Sequence, residues 1–187
     1  MSTREAEKRL AAARAVDEIK DGMFVGLGTG STTAYAIQSL SDRIRQGLRI
    51  TAVATSRATE MLARRLAVPL VPFQQFSSVD LTIDGADEID CHFQAIKGGG
   101  GALLREKVVA AASIRMIAVV DSSKVVRQLG EFPLAVEVVP FASELVRTHL
   151  AKLGARVRLR SVGGEPFLTD QSNHIMDAAF GKALRPI

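Results

Sequence analysis

Short apolar segments alternate with amphipathic helical patterns along the first two thirds of the chain, and this alternation limits the fold more than any other feature. Strands are predicted at 23–27, 49–54, 68–71, 81–83 and 115–120. Between them apolar residues recur at helical intervals, and the first helix is expected to end at Asp21-Gly22. Strands that alternate with helices favour a parallel sheet with helices on both faces. The sequence therefore predicts an α/β fold with a Rossmann-like parallel sheet.

The pattern changes near Gly130. A strand is predicted at 133–139, a helix at 142–153, and several strands between 156 and 177. We therefore expect a Rossmann-like catalytic domain over 1–130 and a small α+β subdomain over 131–187. A chain of 187 residues is long enough to bury a core without disulfides or a metal.

Composition argues against several functional classes. The net charge is +4, with 24 basic and 20 acidic residues interleaved, and Trp is absent, so a nucleic-acid partner is the weaker interpretation. Arg156, Arg158 and Arg160 alternate as expected for the solvent face of one strand. No apolar run approaches the roughly 20 residues of a membrane span. The single cysteine, Cys91, is expected to be partly buried and indicates a reducing cytoplasm.

A glycine-rich loop, GLGTGSTT at 26–33, follows the first predicted strand and leads into a helix. Backbone N–H groups and the helix dipole at such a loop can bind an anion. Ser31 occupies the third glycine position of the dinucleotide fingerprint, no acid ends the second strand, and no G-K-[ST] is present. The loop therefore suits a phosphate monoester, although a helix cap with tight-turn glycines explains it equally well.

Four acidic residues follow the predicted strand at 81–83: Asp84, Asp87, Glu88 and Asp90. Ligands bind α/β sheets at the carboxyl ends of strands. The spacing does not match a calcium loop, and the histidines lack metal-ligand spacing, so general acid–base chemistry is the better functional interpretation. A solvated acidic turn is the alternative.

Lys97 precedes four consecutive glycines and a predicted helix that contains Glu106. The glycines indicate backbone packed where no side chain fits. Apolar neighbours on the helix would remove water from Glu106 and raise the pKa of its carboxyl toward that of a useful base. These neighbours are Ala102, Leu103, Val109 and Ala110. The alternative is an exposed glutamate between Arg105 and Lys107.

Together these segments would supply a phosphate cradle, carboxylates, a cation and a general base at the loops of one sheet. That combination suits the movement of a proton next to the carbonyl of a sugar phosphate.

The same segments resemble the type A family of ribose-5-phosphate isomerases. The matching stretches are VGLGTGST at 25–32, TIDGADEID at 82–90, IKGGGGALLREK at 96–107, VDSSK at 120–124, PLAVEVVPFA at 133–142 and FLTDQSNHIMD at 167–177. They keep the order and spacing of the family over about residues 5–183.

The resemblance implies interconversion of ribose 5-phosphate and ribulose 5-phosphate through a cis-enediolate, with no metal and no organic cofactor. It implies that Glu106 is the base that moves the proton between C1 and C2. Asp84 and Asp87 would handle the oxygen protons and ring opening. Lys97 would stabilise the developing oxyanion.

The resemblance also implies a set of substrate-binding residues and the partners of the chain. The set is Thr29, Gly30, Ser31, Thr32, Asp84, Gly85, Ala86, Asp87, Lys97, Gly98, Gly99, Gly100 and Lys124, with Lys8 reaching the phosphate from the first helix. The expected partners are a pentose phosphate and further copies of the chain, as a homodimer or homotetramer in the cytoplasm. Neither nucleic acid nor a membrane is expected as a partner.

Family members are expected to continue past Phe180-Gly181 with a further turn, helix and strand, so this sequence is expected to be short at its C-terminus. The missing part would leave a sheet edge unpaired, which lowers stability or promotes association. Two non-catalytic alternatives stay open: a sugar-phosphate sensor, and an inactive shortened relative that still binds pentose phosphates.

Overall fold

A computed structural model describes residues 3–181, which fall into two compact units. The first unit comprises Met1–Gly85 and Leu104–Ser123, and the second comprises Ala86–Leu103 and Lys124–Ile187. The second unit thus includes residues 86–103, which lie before the predicted boundary at residue 130, and that domain boundary stays a prediction. The last residues of the predicted subdomain, 182–187, lie outside the described part.

Helices and strands alternate along the described residues. In chain order they are α1 (Thr3–Val16), β1 (Phe24–Leu27), α2 (Ser31–Arg45), β2 (Thr51–Ala54), α3 (Arg57–Arg65), β3 (Val79–Asp84), β4 (Glu88–Ile89), β5 (Ala95–Ile96), α4 (Leu103–Ala111), β6 (Ser113–Ala118), β7 (Leu134–Val138), α5 (Ser143–Lys152), β8 (Arg156–Leu159), β9 (Ser161–Val162), β10 (Glu165–Pro166) and β11 (His174–Ala179). Short 3-10 turns lie at Phe73–Gln75, Ser122–Lys124 and Pro140–Ala142.

A parallel sheet organises the first unit. Its four described strands have the order β2-β1-β3-β6, and every neighbouring pair is parallel. In the centre of the sheet, Gly26 of β1 is in register with Val53 of β2 and Thr82 of β3. The prediction of an α/β fold with a Rossmann-like parallel sheet flanked by helices is confirmed.

Apolar side chains hold the helices against this sheet. Ile37 and Leu40 of α2 pack in one cluster with Val25 and Leu27 of β1. The same cluster includes buried residues of α1. A second cluster joins Phe24, Val53 and Val79 to Val109 of α4. Each large aliphatic side chain that is fully buried contributes about 1.5–3 kcal/mol to stability.

The second unit is built on antiparallel pairing. Its three-stranded sheet has the order β7-β11-β8, and α5 packs against β8 and β11. Two small hairpins, β4-β5 and β9-β10, belong to the same unit. These elements form the predicted combination of helix and antiparallel strands.

The sequence-based assignment of two segments is wrong. The predicted strand at 68–71 makes only a single bridge, between Leu70 and Ala52, because Pro69 and Pro72 lack the N–H groups that would extend the pairing. The first helix ends at Val16 rather than at Asp21-Gly22. Ile19 nevertheless lies in the core, at 1% exposure.

Cys91 is exposed, not partly buried as predicted, because it lies in the turn between β4 and β5. Within residues 3–181, none of the helices is long and apolar enough to cross a membrane.

A carboxylate on α1 gives the first unit a testable pH dependence. Glu7 accepts hydrogen bonds from the backbone N–H and the hydroxyl of Ser122, each at 2.8 Å. These two hydrogen bonds hold the pKa of the Glu7 carboxyl below its ordinary value, and the backbone N–H of Ser122 contributes more than the hydroxyl does. A lowered pKa in the folded state means that this stabilisation is present above the ordinary glutamate pKa and is lost as the pH falls through the folded value.

We therefore expect Glu7→Gln to lower the melting temperature by a few degrees at pH 7, and the difference from the parent chain to shrink as the pH falls below the ordinary glutamate pKa. Melting curves followed by circular dichroism at several pH values check this. Glu165→Gln, at an exposed position of β10, serves as the control. A difference that stays constant with pH would contradict the assignment to the Glu7 carboxylate.

Candidate active site

The carboxyl ends of the parallel strands place the glycine loop beside Asp84, as the sequence predicts. The loop after β1 passes β3 closely, and the Gly28 N–H donates to the Ile83 carbonyl at 2.9 Å. The Thr29 N–H donates to Asp84 Oδ1 at 3.0 Å. Thus two segments 55 residues apart in sequence meet at one edge of the sheet.

Asp84 is a buried carboxylate with 1% exposure. Its Oδ1 also accepts the N–H of the following Gly85 at 2.7 Å. Hydrogen bonds to the charged form compensate part of the cost of burying a carboxylate. The alternative of a solvated acidic turn is therefore wrong for Asp84.

The glycine at position 28 is required by this contact. A Cβ atom added to Gly28 would lie 2.0 Å from Asp84 Oδ1, far inside the contact distance of real atoms. A Cβ added to Gly26 would similarly lie 2.0 Å from Thr82 Oγ1. These two glycines allow β1 and its loop to approach the side chains of β3.

The N-terminus of α2 follows this loop. Gly30 precedes the helix with φ 134°, a left-handed conformation that favours glycine, and no side chain of the described residues caps the helix there. Gly30 and Ser31 are exposed, whereas Thr32 is 8% exposed. The first turn of α2 thus offers backbone N–H groups and the positive end of the helix dipole to an anion.

Glu106 lies on the buried side of α4. Its exposure is 5%, comparable with the 3% of Val109 on the next turn, and its Oε2 atom is fully buried. The alternative of an exposed glutamate between Arg105 and Lys107 is therefore wrong. The raised pKa expected for this carboxyl stays a prediction.

Lys8 of α1 forms an ion pair with Glu5, with 3.2 Å between Nζ and Oε1. Glu5 also accepts a hydrogen bond from the hydroxyl of Tyr35 on α2. The Tyr35 hydroxyl, and after it the Lys8 ammonium, lower the pKa of the Glu5 carboxyl. The side chain of Lys8 is 18% exposed, so it could exchange Glu5 for a phosphate, and its role stays a prediction.

In the second unit, Asp87 packs against the glycine run that follows β5. Its Oδ2 accepts the Gly99 N–H at 2.8 Å. A Cβ added to Gly99 would lie 2.5 Å from Asp87 Oδ1 and 2.8 Å from the Phe132 ring. A Cβ added to Gly101 would lie 2.7 Å from Phe167. The predicted close packing of the glycine run is confirmed at these two positions, whereas Gly100 has open space around its Cα.

The remaining predicted cations of the second unit are half-buried. Lys97 follows β5 directly and precedes the glycine run. Lys124 ends the 3-10 turn at Ser122–Lys124, and its Nζ lies 5.8 Å from the centroid of the Phe132 ring. Phe132 thus contacts the glycine run and lies near Lys124.

Glu88 and Asp90, the other two acids of the segment, also accept backbone N–H groups. Glu88 accepts the backbone N–H groups of Gly130 and Phe132 at 2.7 and 2.5 Å. Asp90 accepts those of His92 and Gln94, both at 2.9 Å, and so closes the β4-β5 hairpin. Among the described residues, no group of three or more His, Cys, Asp and Glu side chains is arranged to hold a metal ion.

Arg160 does not lie on a solvent face, which corrects the expectation from the alternating arginines. β8 ends at Leu159, and the side chain of Arg160, 16% exposed, forms a two-point ion pair with Asp177 at 3.1 and 2.5 Å. Its Nη1 also donates to the carbonyls of Gly98 and Gly99 at 3.3 and 2.9 Å. Arg160 thus holds the glycine run that contacts Asp87.

The described contacts therefore assemble two groups of the predicted residues. In the first unit Asp84 and Gly85 meet the loop at Thr29, and in the second unit Asp87 meets the glycine run. Sequence reasoning missed the pairing of Arg160 with Asp177, since nothing in the local pattern indicates a contact between residues 17 positions apart in sequence.

Comparison with known proteins agrees with these motifs. The family model "Ribose 5-phosphate isomerase A (phosphoriboisomerase A)" matches residues 51–186. "Ribose-5-phosphate isomerase A" of Sphingopyxis alaskensis is 71% identical over 186 residues, which cover 100% of this chain and 82% of that protein. The protein of the same name from Bacillus mycoides is 47% identical over 180 residues, which cover 96% of this chain and 81% of that protein.

Solved structures show the same similarity. A D-ribose-5-phosphate isomerase in complex with phospho-erythronic acid has a TM-score of 0.91 and 36% identity, covering 96% of this chain and 80% of that one. Ribose 5-phosphate isomerase A from Methanocaldococcus jannaschii has a TM-score of 0.90 and 39% identity, and the match covers 95% of this chain and 80% of that one.

The contact between Gly28 and Asp84 predicts that Gly28→Ala is severe. The added methyl group must displace the Asp84 carboxylate or the loop, which costs about 1–3 kcal/mol of stability as overpacking does. A displacement of about 1 Å at a reacting group lowers turnover roughly a hundredfold. Steady-state kinetics with ribose 5-phosphate and thermal melting check both effects.

Gly47→Ala is the control for this variant. Gly47 has a left-handed φ of 108°, so a side chain there is strained, but a Cβ at this position meets nothing within 4 Å. It should lower stability modestly and leave turnover unchanged. Equal turnover in the Gly28→Ala variant and the parent chain would contradict the tight contact with Asp84.

Proposed function

The chain belongs to the ribose 5-phosphate isomerase A family and interconverts ribose 5-phosphate and ribulose 5-phosphate, and we propose that Glu106 is the base of this reaction. The burial of Glu106 carries the proposal. A glutamate whose carboxylate is removed from water, on a helix that packs against an α/β sheet, is suited to take up and return a proton. The family motif at 96–107 independently assigns the same residue.

The proposed reaction relocates two protons within the sugar, one from C2 to C1 and one from O2 to O1, and it needs no external oxidant or reductant because C1 is reduced as C2 is oxidised. In the open-chain aldose, the Glu106 carboxylate takes the proton from C2. The electron pair of the broken C2–H bond forms the C1=C2 double bond, while the π electrons of the C1 carbonyl move onto O1. The protonated Glu106 then returns its proton to C1, O2 loses its proton to become the ketone oxygen, and O1 becomes a hydroxyl group.

We assign the oxygen chemistry to two aspartates and a lysine. Asp84 and Asp87 would transfer protons at the hydroxyl groups during ring opening and at O1 and O2 of the enediolate. Each carboxylate accepts a backbone N–H from a glycine-containing loop, which supports a defined orientation. The Lys97 ammonium would stabilise the negative charge that develops on the oxygen, and such stabilisation is a large contribution in catalysis.

We assign the phosphate to the N-terminus of α2. The exposed Gly30 and Ser31, the helix dipole and the lack of a capping side chain among the described residues support anion binding at this terminus. The side-chain oxygen of Thr29 and its N–H have partners within the protein, so Thr29 would contribute mainly through its place in the loop. Lys8 of α1 would reach the phosphate, and Lys124 is assigned as a further substrate-binding residue.

The remaining binding positions are assigned through their backbone. Gly85 and Ala86 lie between the two aspartates, and Gly98, Gly99 and Gly100 follow Lys97. The phospho-erythronic acid bound to a solved relative is a phosphorylated sugar acid, which supports a phosphorylated sugar as the ligand of this chain. A non-catalytic sensor or binder is not favoured, since the relatives are named as isomerases and Glu106 is present and buried.

We also propose that the chain acts in the cytoplasm as a homodimer or homotetramer. Large apolar side chains around α5 are exposed in the single chain, and Phe141 is fully exposed. Exposed apolar groups of this size favour association. Sedimentation of the purified chain measures the oligomer, and a monomer at micromolar concentration would contradict this part of the proposal.

The first test is conversion in heavy water followed by proton NMR. Ribose 5-phosphate should give ribulose 5-phosphate with deuterium at C1, because the proton on the base exchanges with solvent during the enediolate stage. Ribulose 5-phosphate that retains the original C2 proton would contradict an exchanging base. Binding without conversion, seen as ligand line broadening, would support the non-catalytic alternative.

The second test addresses the base itself. Glu106→Gln has nearly the same volume but cannot accept the C2 proton, so turnover should fall about 10³-fold while binding of ribose 5-phosphate persists. Glu106→Asp keeps the charge but shortens the side chain, so it should retain part of the activity. Glu60→Gln, at a half-buried position of α3, is the control. Unchanged turnover in Glu106→Gln would remove Glu106 as the base.

A further inference from the structure

A cluster of hydroxyl groups lies behind the loop that contacts Asp84. Thr29 Oγ1 donates to Ser56 Oγ at 2.8 Å and lies within 3.0 Å of Thr55 Oγ1 and 3.2 Å of Thr59 Oγ1. Thr55, Ser56 and Thr59 are 0%, 4% and 4% exposed, so water does not replace these contacts. Buried hydroxyl groups bonded mainly to one another and to backbone form a directional network.

The network ends on a backbone carbonyl. Ser56 Oγ donates to Thr59 Oγ1 at 3.1 Å, and Thr59 Oγ1 donates to the carbonyl of Gly28 at 2.8 Å. Ser56 also caps α3 by accepting the Thr59 N–H at 3.0 Å. The Thr59 hydroxyl is thus fixed by the first turn of a capped helix, and it fixes the Gly28 carbonyl in turn.

The peptide group between Gly28 and Thr29 connects this network to Asp84. A peptide group is planar, so the orientation of its carbonyl determines the direction of its N–H. The carbonyl of this peptide is held by Thr59, and its N–H donates to Asp84 Oδ1 at 3.0 Å. Rotation of the peptide would turn the N–H away from the carboxylate.

We propose that Thr59 is a positioning residue for Asp84, acting through the Gly28–Thr29 peptide. Loss of the Thr59 hydroxyl would leave the Gly28 carbonyl without this donor and allow the peptide to rotate. Asp84 would then keep its N–H bond from Gly85 but lose a defined orientation relative to the substrate. This inference rests on the proposed role of Asp84 in the isomerase reaction.

The geometry distinguishes Thr59 from its neighbours in the cluster. Thr55 Oγ1 donates to the carbonyl of Leu27 at 3.0 Å, which belongs to the preceding peptide. Only Thr59, among the described contacts, bonds the carbonyl of the peptide whose N–H reaches Asp84. We therefore expect turnover to change because the Thr59 hydroxyl group is lost, and not because the packing of the side chain is altered.

The test compares Thr59→Val, Thr59→Ser and a matched control, Ser41→Ala. Valine keeps the shape of threonine without the hydroxyl, and serine keeps the hydroxyl. Ser41 Oγ donates to the Leu66 carbonyl at 2.7 Å, so Ser41→Ala removes a buried bond of the same kind, between α2 and the end of α3. Melting temperatures are measured first, and rates are compared where all variants are folded.

We expect Thr59→Val to lower kcat about tenfold, the equivalent of one hydrogen bond, with KM for ribose 5-phosphate nearly unchanged. Thr59→Ser should restore most of kcat. Ser41→Ala should lose a similar amount of thermal stability and keep the kcat of the parent chain. Asp84→Asn, measured alongside, should reduce kcat by more than Thr59→Val does.

Three results would overturn the inference: equal loss of kcat in Thr59→Val and Thr59→Ser, an increase in KM alone, or loss of kcat in Ser41→Ala matching that in Thr59→Val. An inactive parent chain, or an Asp84→Asn variant with full kcat, would instead contradict the proposed function. The failure of the inference and the failure of the proposed function are thus separate outcomes.

Discussion

The close approach of β1 to β3 is the constraint on which the first unit depends. Parallel pairing places Gly26 beside Thr82, and the loop that continues from β1 then runs directly over Asp84. No side chain fits at Gly28, since a Cβ would lie 2.0 Å from the carboxylate. The same approach gives Asp84 the Thr29 N–H as a partner, so the backbone that excludes water also compensates the buried charge.

Each unit uses the same physical arrangement around an aspartate. Asp84 accepts an N–H from the Gly28–Thr29 peptide, and Asp87 accepts one from the Gly98–Gly99 peptide. In both cases a side chain donates to the carbonyl of that peptide: the buried Thr59 in the first unit and the half-buried Arg160 in the second. A glycine-containing peptide can approach a carboxylate closely, and a second contact on its carbonyl limits its rotation.

The sequence pattern predicted the structure correctly wherever the structure depended on a single helix, strand or loop. The strands, the helices α2 to α5 and the glycine loop are largely where the periodicity of the sequence indicates. Prediction failed where a residue's partner is remote in sequence. Arg160 follows two exposed arginines at alternating positions, so the sequence predicts that it is exposed as well. Its partners in the structure are Asp177 and the carbonyls of the glycine run. The apolar stretch at 68–71 reads as a strand, but two prolines limit its pairing to one bridge.

The sequence by itself determined the fold class, the order of the motifs and the candidate residues, because hydrophobic periodicity and glycine spacing are local properties of a chain. It could not decide whether Glu106 is buried or exposed, which groups the acids of the 84–90 segment bond, or what holds the glycine loops. Only the tertiary structure decided these points. Burial and hydrogen bonding depend on which segments meet, and Thr59 meets Gly28, and Arg160 meets Gly99, across 31 and 61 residues of chain.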